Sequence, residues 1–490
     1  MTHEAYLELI DQVNAAGPYH ADWDNLAAHP IPAWYRQKRL GIFLHWGVFS
    51  VPAYHDWYAR NMYIQGSEEY EHHLKHWGPH KDFGWKDFVP LWTMQDFDPD
   101  AWVALFKEAG ADYIVPVAEH HDGFQNYKSD LSHWNAFEMG PHRDVLGDLL
   151  EASERGGLTI GTSSHRIEHW FFLSHGREFD SDIQGDYQRG DLYWPSMPEG
   201  NHHDLFSEPT PTQEYLEDWL CRCCELVDRY HPRILYFDWW IQHSAAREYL
   251  KKFTAYYFNR MEPYGGCVIN TKHDAMPFGI AVPDIERGAF AEPKAFLWQS
   301  DTSVMRGSWC YSSLVERSQP KPANELIWTL CDVVSKNGRL LLNIGPKPDG
   351  TISQQDSDLL LALGRWMKIN GEAIRDTNVW RISQEGPTKS VEGQFTDGAD
   401  ASYTAQDFRF TCRGSSIYCI CMGQPEDAIH IQSLRIADAS HLPLFNGIID
   451  KVQILGYDTP LTWMQDTEGL HIPLQGISSQ QPLVVKVTVR

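Results

Sequence analysis

The sequence predicts a (β/α)8-like barrel over residues 1–370, followed by a C-terminal β-sandwich over residues 371–490. Three observations carry this reading. Short apolar runs alternate with longer helical patterns, each run ends in polar residues, and from about Val379 the pattern changes to short alternating runs split by turn residues. Strands that alternate with helices and present functional groups at their carboxyl ends are the sequence form of a barrel whose active site lies on that face. A chain of 490 residues also exceeds one ordinary domain and has room for a barrel and a smaller companion.

In chain order, Gly41–Gly47 reads as a buried strand ending in His45 and Trp46, and Asp112–Ala118 repeats the form before Glu119, His120, His121 and Asp122. Leu158–Ser163, Ile234–Asp238, Cys267–Asn270 and Arg339–Gly345 follow the same logic. Helical patterns lie between them at Asp100–Ala109, Val145–Gly156 and Thr212–Tyr230, with a last helix at Ser357–Asn370. An open doubly wound sheet alternates equally well, but no glycine-rich phosphate loop follows the first strand. Beyond that helix, Ser416–Cys421, Lys451–Leu455 and Leu483–Val489 read as sandwich strands, suited to packing on the barrel or to binding carbohydrate.

Composition narrows the function. The formal charge of −25, from 66 acidic and 41 basic residues, repels phosphate backbones and anionic lipid surfaces, so neither nucleic acid nor membrane is an expected partner. No apolar stretch reaches the length of a membrane span, and the amino terminus shows no secretory pattern. The nine cysteines make no disulfide framework, and Cys221, Cys223 and Cys224 read as one face of a buried helix; a cytoplasmic protein is the expectation. Twenty Trp, 22 Tyr, 22 Phe and 24 His supply flat rings for the apolar faces of sugars and imidazoles for their hydroxyls. Homo-oligomerisation is left open.

A glycosidase needs two carboxyl groups across the scissile bond, one ionised and one protonated. Asp238 is the candidate for the first: it ends a strand among Tyr236, Trp239 and Trp240, where desolvating a carboxylate is costly unless it serves a purpose. Two other classes compete. A metal-dependent hydrolase on the same barrel is suggested by His120, His121 and Asp122 and by His72 and His76 at i, i+4 spacing, although the glutamate of an H-E-x-x-H site is replaced by His73. A catalytically silent sugar-binding protein would keep the His and Trp contacts without paired carboxylates.

Five segments in order, Arg39–Gly47, Asp56–Tyr63, Glu119–Phe124, Phe237–Asp238 and Leu341–Gly350, resemble the retaining α-L-fucosidases of glycoside hydrolase family 29 over roughly residues 33–365. The resemblance implies a catalytic barrel backed by a β-sandwich, and release of terminal α-L-fucose from fucosylated oligosaccharides or glycoconjugates. It also implies a covalent fucosyl-enzyme formed on Asp238, and neither metal nor cofactor. Carried over by position, His45, Trp57, His120 and His121 contact fucose hydroxyls, and Asp56, His165, Tyr236 and Trp298 join the pocket. Three positions depart from the family pattern: Asp56 stands where many members have Glu, Ser164 and His165 where many have Tyr, and Gln299 where some have their acidic Glu.

Gln299 cannot donate an acidic proton, so the general acid/base is placed on Glu286, in a strand that Ala281, Val282 and Ile285 would form about one βαβ step beyond Asp238. Its carboxyl is expected ~5 Å from that of Asp238, with Arg287 turned outward or toward another carboxylate. Glu292, Asp284, Glu168 and Asp56 are rival acids.

Overall fold

Strands covered on both faces have to be buried along their whole length, and β1 (Leu40–Leu44), β2 (Tyr113–Glu119) and β9 (Gly338–Ile344) are. In the computed structural model, which describes residues 1–490 except 202–203, 273, 399–401 and 441, they join six more parallel strands. These are β3 (Thr159–Ile160), β4 (Thr162–Ser164), β5 (Ile234–Phe237), β6 (Val268–Lys272), β7 (Val282–Glu286) and β8 (Trp298–Ser303). The order β1-β9-β8-β7-β6-β5-β4-β2-β3 closes through a β1–β2 pairing. β3 and β4 occupy one place in the barrel, broken at Gly161, where a Cβ would stand 2.7 Å from the Ile234 carbonyl oxygen. The barrel is therefore eight strands around.

Alternation sorts each strand's residues between two cores. Inward-facing Phe43, Tyr113, Val115, Tyr236, Val268 and Leu341 fill the barrel. Their neighbours Ile42, Ile114, Leu235, Phe237, Ile269 and Leu342 belong to the outer core under the helices. The helix Gln213–Tyr230, capped by Thr212 Oγ1 accepting from the Tyr215 amide, buries Cys221, Cys223 and Cys224 as the sequence suggests. Its Asp218 and Arg222 form a buried network with Arg166 and Glu119, anchoring the carboxyl ends of β2 and β4.

Two strands differ from the sequence reading. β6 runs to Lys272 rather than stopping at Asn270. β8 has no apolar run to mark it, since every residue after Trp298 in it is polar, yet all are buried, facing either the barrel interior or the neighbouring loops.

The C-terminal part folds into two antiparallel sheets. The larger has the order β10 (Asn378–Glu385), β11 (Phe408–Arg413), β12 (Ser416–Cys421), β17 (Leu483–Val489), β14 (Ile449–Ile454); the smaller is β13 (Ala428–Ile431), β16 (Leu470–Pro473), β15 (Met464–Gln465). Phe408, Phe410, Cys419 and Val485 meet Ile429, Ile431, Leu470 and Ile472 between the sheets. On the opposite face Tyr418, Ile420 and Val484 join the barrel's outer core beside Trp366. The sandwich is thus packed on the barrel, and the Asp332 carboxylate on the barrel side accepts from Arg409 of β11 at 2.5 Å.

Candidate active site

Parallel strands deliver their carboxyl-terminal residues to one rim, and here they enclose a pocket of about 220 Å³. Phe43 comes from β1 and His45 follows it, Asp56 and Trp57 come from the loop beyond, His120 and His121 follow β2, and His165 follows β4. Tyr236, Asp238 and Trp239 come from the end of β5, Glu286 from β7, Asp301 and Trp309 from β8 and the loop after it. Phe395 alone arrives from the sandwich, on the segment between β10 and β11.

Asp238 is held from one side. Its Oδ2 lies 3.0 Å from His165 Nδ1 and 3.5 Å from His121 Nε2, and the Tyr236 hydroxyl donates to Oδ1 at 3.4 Å. Burial raises this carboxyl, but the charge and hydrogen bonds of His165 and His121, with the Lys272 charge, outweigh it and leave Asp238 well below the usual carboxylate range. His121 also stands 3.2 Å from Glu168; burial lowers it, and the two carboxylates lift it to about 9, so it is an imidazolium at neutral pH.

Glu286 sits in the opposite condition. Strand pairing sets Lys272 beside Asp284 and Glu286 beside Asp301. The fully buried Lys272 ammonium reaches Asp284 at 2.7 Å, Asp301 at 2.9 Å and Glu286 at 3.3 Å. One cation cannot neutralise three carboxylates in a dry interior. Burial, reinforced by the charges of Asp301 and Asp238 and opposed by Lys272, pushes Glu286 up to about 7. Burial and Asp284 raise Asp301 as well. The Trp239 indole donates to Glu286 Oε2 at 2.5 Å.

His45 and His120 are neutral imidazoles. Burial drives His45 and His120 well below their ordinary value. His45 Nδ1 donates to Asn343 Oδ1 at 2.7 Å, leaving Nε2 an acceptor, and His120 Nδ1 has no partner among the described residues. A neutral imidazole with an uncommitted nitrogen suits a sugar hydroxyl, which both donates and accepts.

Nine of the ten sequence-predicted site residues come together: Asp238, Glu286, His45, Asp56, Trp57, His120, His121, His165 and Tyr236. Trp298 does not. It starts β8, at the far end of the strand from the pocket, and its indole donates to the Lys336 carbonyl at 3.0 Å in a fully buried setting. Gln299 follows it into the barrel interior, donating to Asp284 at 2.7 Å and accepting from Tyr113 at 3.2 Å. A one-residue step along a strand reverses the face, and the rim position on β8 is Asp301.

Among the rival acids, Asp284 is locked to Lys272, Glu168 faces His121, and Glu292 is exposed outside the pocket. Arg287 turns toward Asp397 at 3.7 Å and lies over the Trp309 ring. The proposed helical metal pair is otherwise occupied, His72 Nδ1 with the Tyr58 hydroxyl and His76 Nδ1 with the His72 carbonyl. In the pocket, His45, His120 and His165 are close enough to share an ion, but His165 is engaged at both nitrogens, by Asp238 and by Ser163 Oγ.

The site also takes in Lys272 and Asp301, with Trp309 and Phe395 as pocket walls, none of which the sequence reading names. Period-two alternation would have found the first two. Lys272 shares a face with Val268 and Asn270, and Asp301 with Gln299.

A family model described as alpha-L-fucosidase matches residues 7–372. The chain is similar to the tissue alpha-L-fucosidase of Homo sapiens, 30% identical over 476 residues, covering 96% of this chain and 91% of that one. It is also similar to solved structures of Thermotoga maritima alpha-fucosidase. The complex with fucose has a TM-score of 0.73 at 28% identity, and the complex with a mechanism-based inhibitor 0.74 at 27%. Both alignments cover 96% of this chain and 100% of the other.

Lys272→Met should destabilise the fold by about 3–5 kcal/mol at pH 8, because three buried carboxyls lose their counter-charge. Protonated carboxyls need no counter-charge, so the deficit should shrink as pH falls through about 7, the Glu286 value. Urea denaturation at both pH values checks this; a deficit that is constant or grows on acidification contradicts it.

Proposed function

We propose, for a chain that belongs to the alpha-L-fucosidase family of glycoside hydrolases, that it releases terminal α-L-fucosyl residues by double displacement with retention of configuration. One observation carries the reading. Two carboxyl groups face one pocket with opposite proton affinities, Asp238 held ionised and Glu286 raised to about 7.

In the first step the Glu286 carboxyl gives its proton to the glycosidic oxygen while a carboxylate oxygen of Asp238 bonds to the anomeric carbon. The bond to the leaving group breaks with its electron pair on that oxygen. In the second, the Glu286 carboxylate takes a proton from water. The water oxygen bonds to the anomeric carbon and Asp238 leaves, restoring both groups. The His165 and His121 contacts orient the nucleophile, and His45, His120 and Trp57 are the assigned contacts to the sugar hydroxyls. Phe43 and Tyr236, packed 5.0 Å apart, provide an apolar floor suited to the fucose methyl. The Thermotoga maritima relative is known bound to fucose and to a mechanism-based inhibitor, which supports a fucose pocket here.

A silent sugar-binding protein would have no use for a strongly shifted carboxyl pair, and a metal held by His45, His120 and His165 would displace one of the two contacts that His165 makes. All nine cysteines are unpaired, which supports a reducing, cytoplasmic setting.

Asp238→Ala should lower turnover on an aryl α-L-fucoside by on the order of 10³ or more, since the covalent step is removed. Azide should then enter from the vacated face and give β-fucosyl azide; near wild-type turnover would make Asp238 structural.

The pH profile follows from the proton each group carries. Activity requires Glu286 protonated, so kcat/KM should fall as pH rises past about 7. Asp238 stays ionised down through the ordinary carboxylate range, so no acidic limb is expected above about pH 4. Glu286→Gln should abolish the basic limb and lower kcat/KM on natural glycosides by about 10²–10⁴. A basic limb surviving in that variant would assign the acid elsewhere.

A further inference from the structure

The double displacement does not use the segment between β10 and β11, yet that segment is docked against the acid. The Phe395 amide donates to the Glu286 carbonyl at 2.7 Å, Asp397 to the Arg287 carbonyl at 2.7 Å, and Gly393 to the Ala289 carbonyl at 3.0 Å. In return the Glu286 amide donates to Gln394 Oε1. The approach is close enough that a Cβ on Gly288 would stand 1.8 Å from the Gly393 carbonyl oxygen. The Asp397 carboxylate fastens the far end, accepting from Lys321 at 2.5 Å and Thr302 at 2.6 Å.

What this docking presents is Phe395. Its φ of 56° is a left-handed conformation that bulky residues rarely adopt, and the ring is 60% exposed, so burial does not account for holding it there. The ring lies within 8° of parallel to the Trp239 indole, with centroids 6.3 Å apart, and that indole donates to Glu286. Trp57, Trp239 and Phe395 are also shared with a second chamber of about 440 Å³, continued by Trp240 and edged by Asn201 and the Arg60–Glu199 pair.

An acid that protonates the glycosidic oxygen stands on the leaving-group side of the sugar, and Trp239, which donates to Glu286, lines the second chamber, so that chamber is on the same side. This step rests on the function proposed above. We propose that Phe395, supplied by the sandwich, is a specificity-determining residue whose ring and Trp239 form the wall of a leaving-group site for a second pyranose. Flat aromatic faces meet the apolar face of such a ring, and the polar edge meets its hydroxyls. The sandwich is then part of the active site rather than only a support for the barrel.

The test compares kcat/KM on α-L-fucosyl fluoride, 4-nitrophenyl α-L-fucoside and an α-L-fucosyl disaccharide with a pyranose leaving group. The enzymes compared are wild type, Phe395→Ala, Phe395→Leu and Phe395→Trp. For Phe395→Ala and Phe395→Leu the disaccharide-to-fluoride ratio should fall about fivefold or more, chiefly through KM. Phe395→Trp, which restores a flat ring, should recover most of it. Melting temperatures within a few degrees of wild type show that the ratio reports the site. Loss on the disaccharide, with or without loss on the aryl fucoside, supports the assignment. Parallel changes on fluoride and disaccharide, or loss on the aryl fucoside alone, overturn it. A wild-type enzyme inactive on all three substrates overturns the proposed function and this inference with it.

Discussion

Everything at the barrel mouth depends on a shortage of positive charge. Asp238, Asp284, Asp301 and Glu286 surround a buried region whose nearby cations are Lys272 and the His121 imidazolium. Full ionisation of all four carboxyls in a low-dielectric interior would leave uncompensated charge at a cost of several kcal/mol per ion. The proton distribution is therefore settled by geometry. Asp238 takes the imidazoles, the Lys272 ammonium lies closest to Asp284, and burial with the neighbouring carboxylates raises Glu286 and Asp301. An ionised carboxyl and one of raised proton affinity emerge from one electrostatic arrangement, and neither requires a special residue type.

The strand register makes the arrangement possible. Lys272, Asp284 and Gln299 lie side by side across β6, β7 and β8, and Glu286 and Asp301 form the next layer toward the rim. The inner layer is closed by hydrogen bonds among Gln299, Tyr113 and Asp284. The outer layer opens on the pocket, where substrate can reach it. Burial in the inner layer and access in the outer one separate a structural carboxylate from a working one two residues away on the same strand.

Much of this was legible in the sequence. β1 and the body of β2 are apolar runs, so the polar residues that follow them, His45, His120 and His121, could be placed on one rim from the sequence. Asp238 was legible for the same reason. β8 was not, because it is buried through polar contacts and carries no apolar run after Trp298. Trp298 enters the expected pocket through the family resemblance, whereas the β8 residue that reaches the rim is Asp301. Lys272 was hidden by ending β6 two residues early, and Phe395 by its distance along the chain: a loop of the sandwich reaching the barrel mouth leaves no periodic signature.

The central claim is that burial, with the charges of Asp301 and Asp238 and against the opposing charge of Lys272, holds a proton on Glu286 up to about pH 7. Difference infrared titration, wild type against Glu286→Gln, isolates that carboxyl directly. The account predicts loss of its protonated band near pH 7 and a downward shift of that midpoint in an Asp238→Asn background, where the neighbouring negative charge is gone. A Glu286 that titrates at the ordinary value of 4.5, or one indifferent to Asp238→Asn, would contradict it.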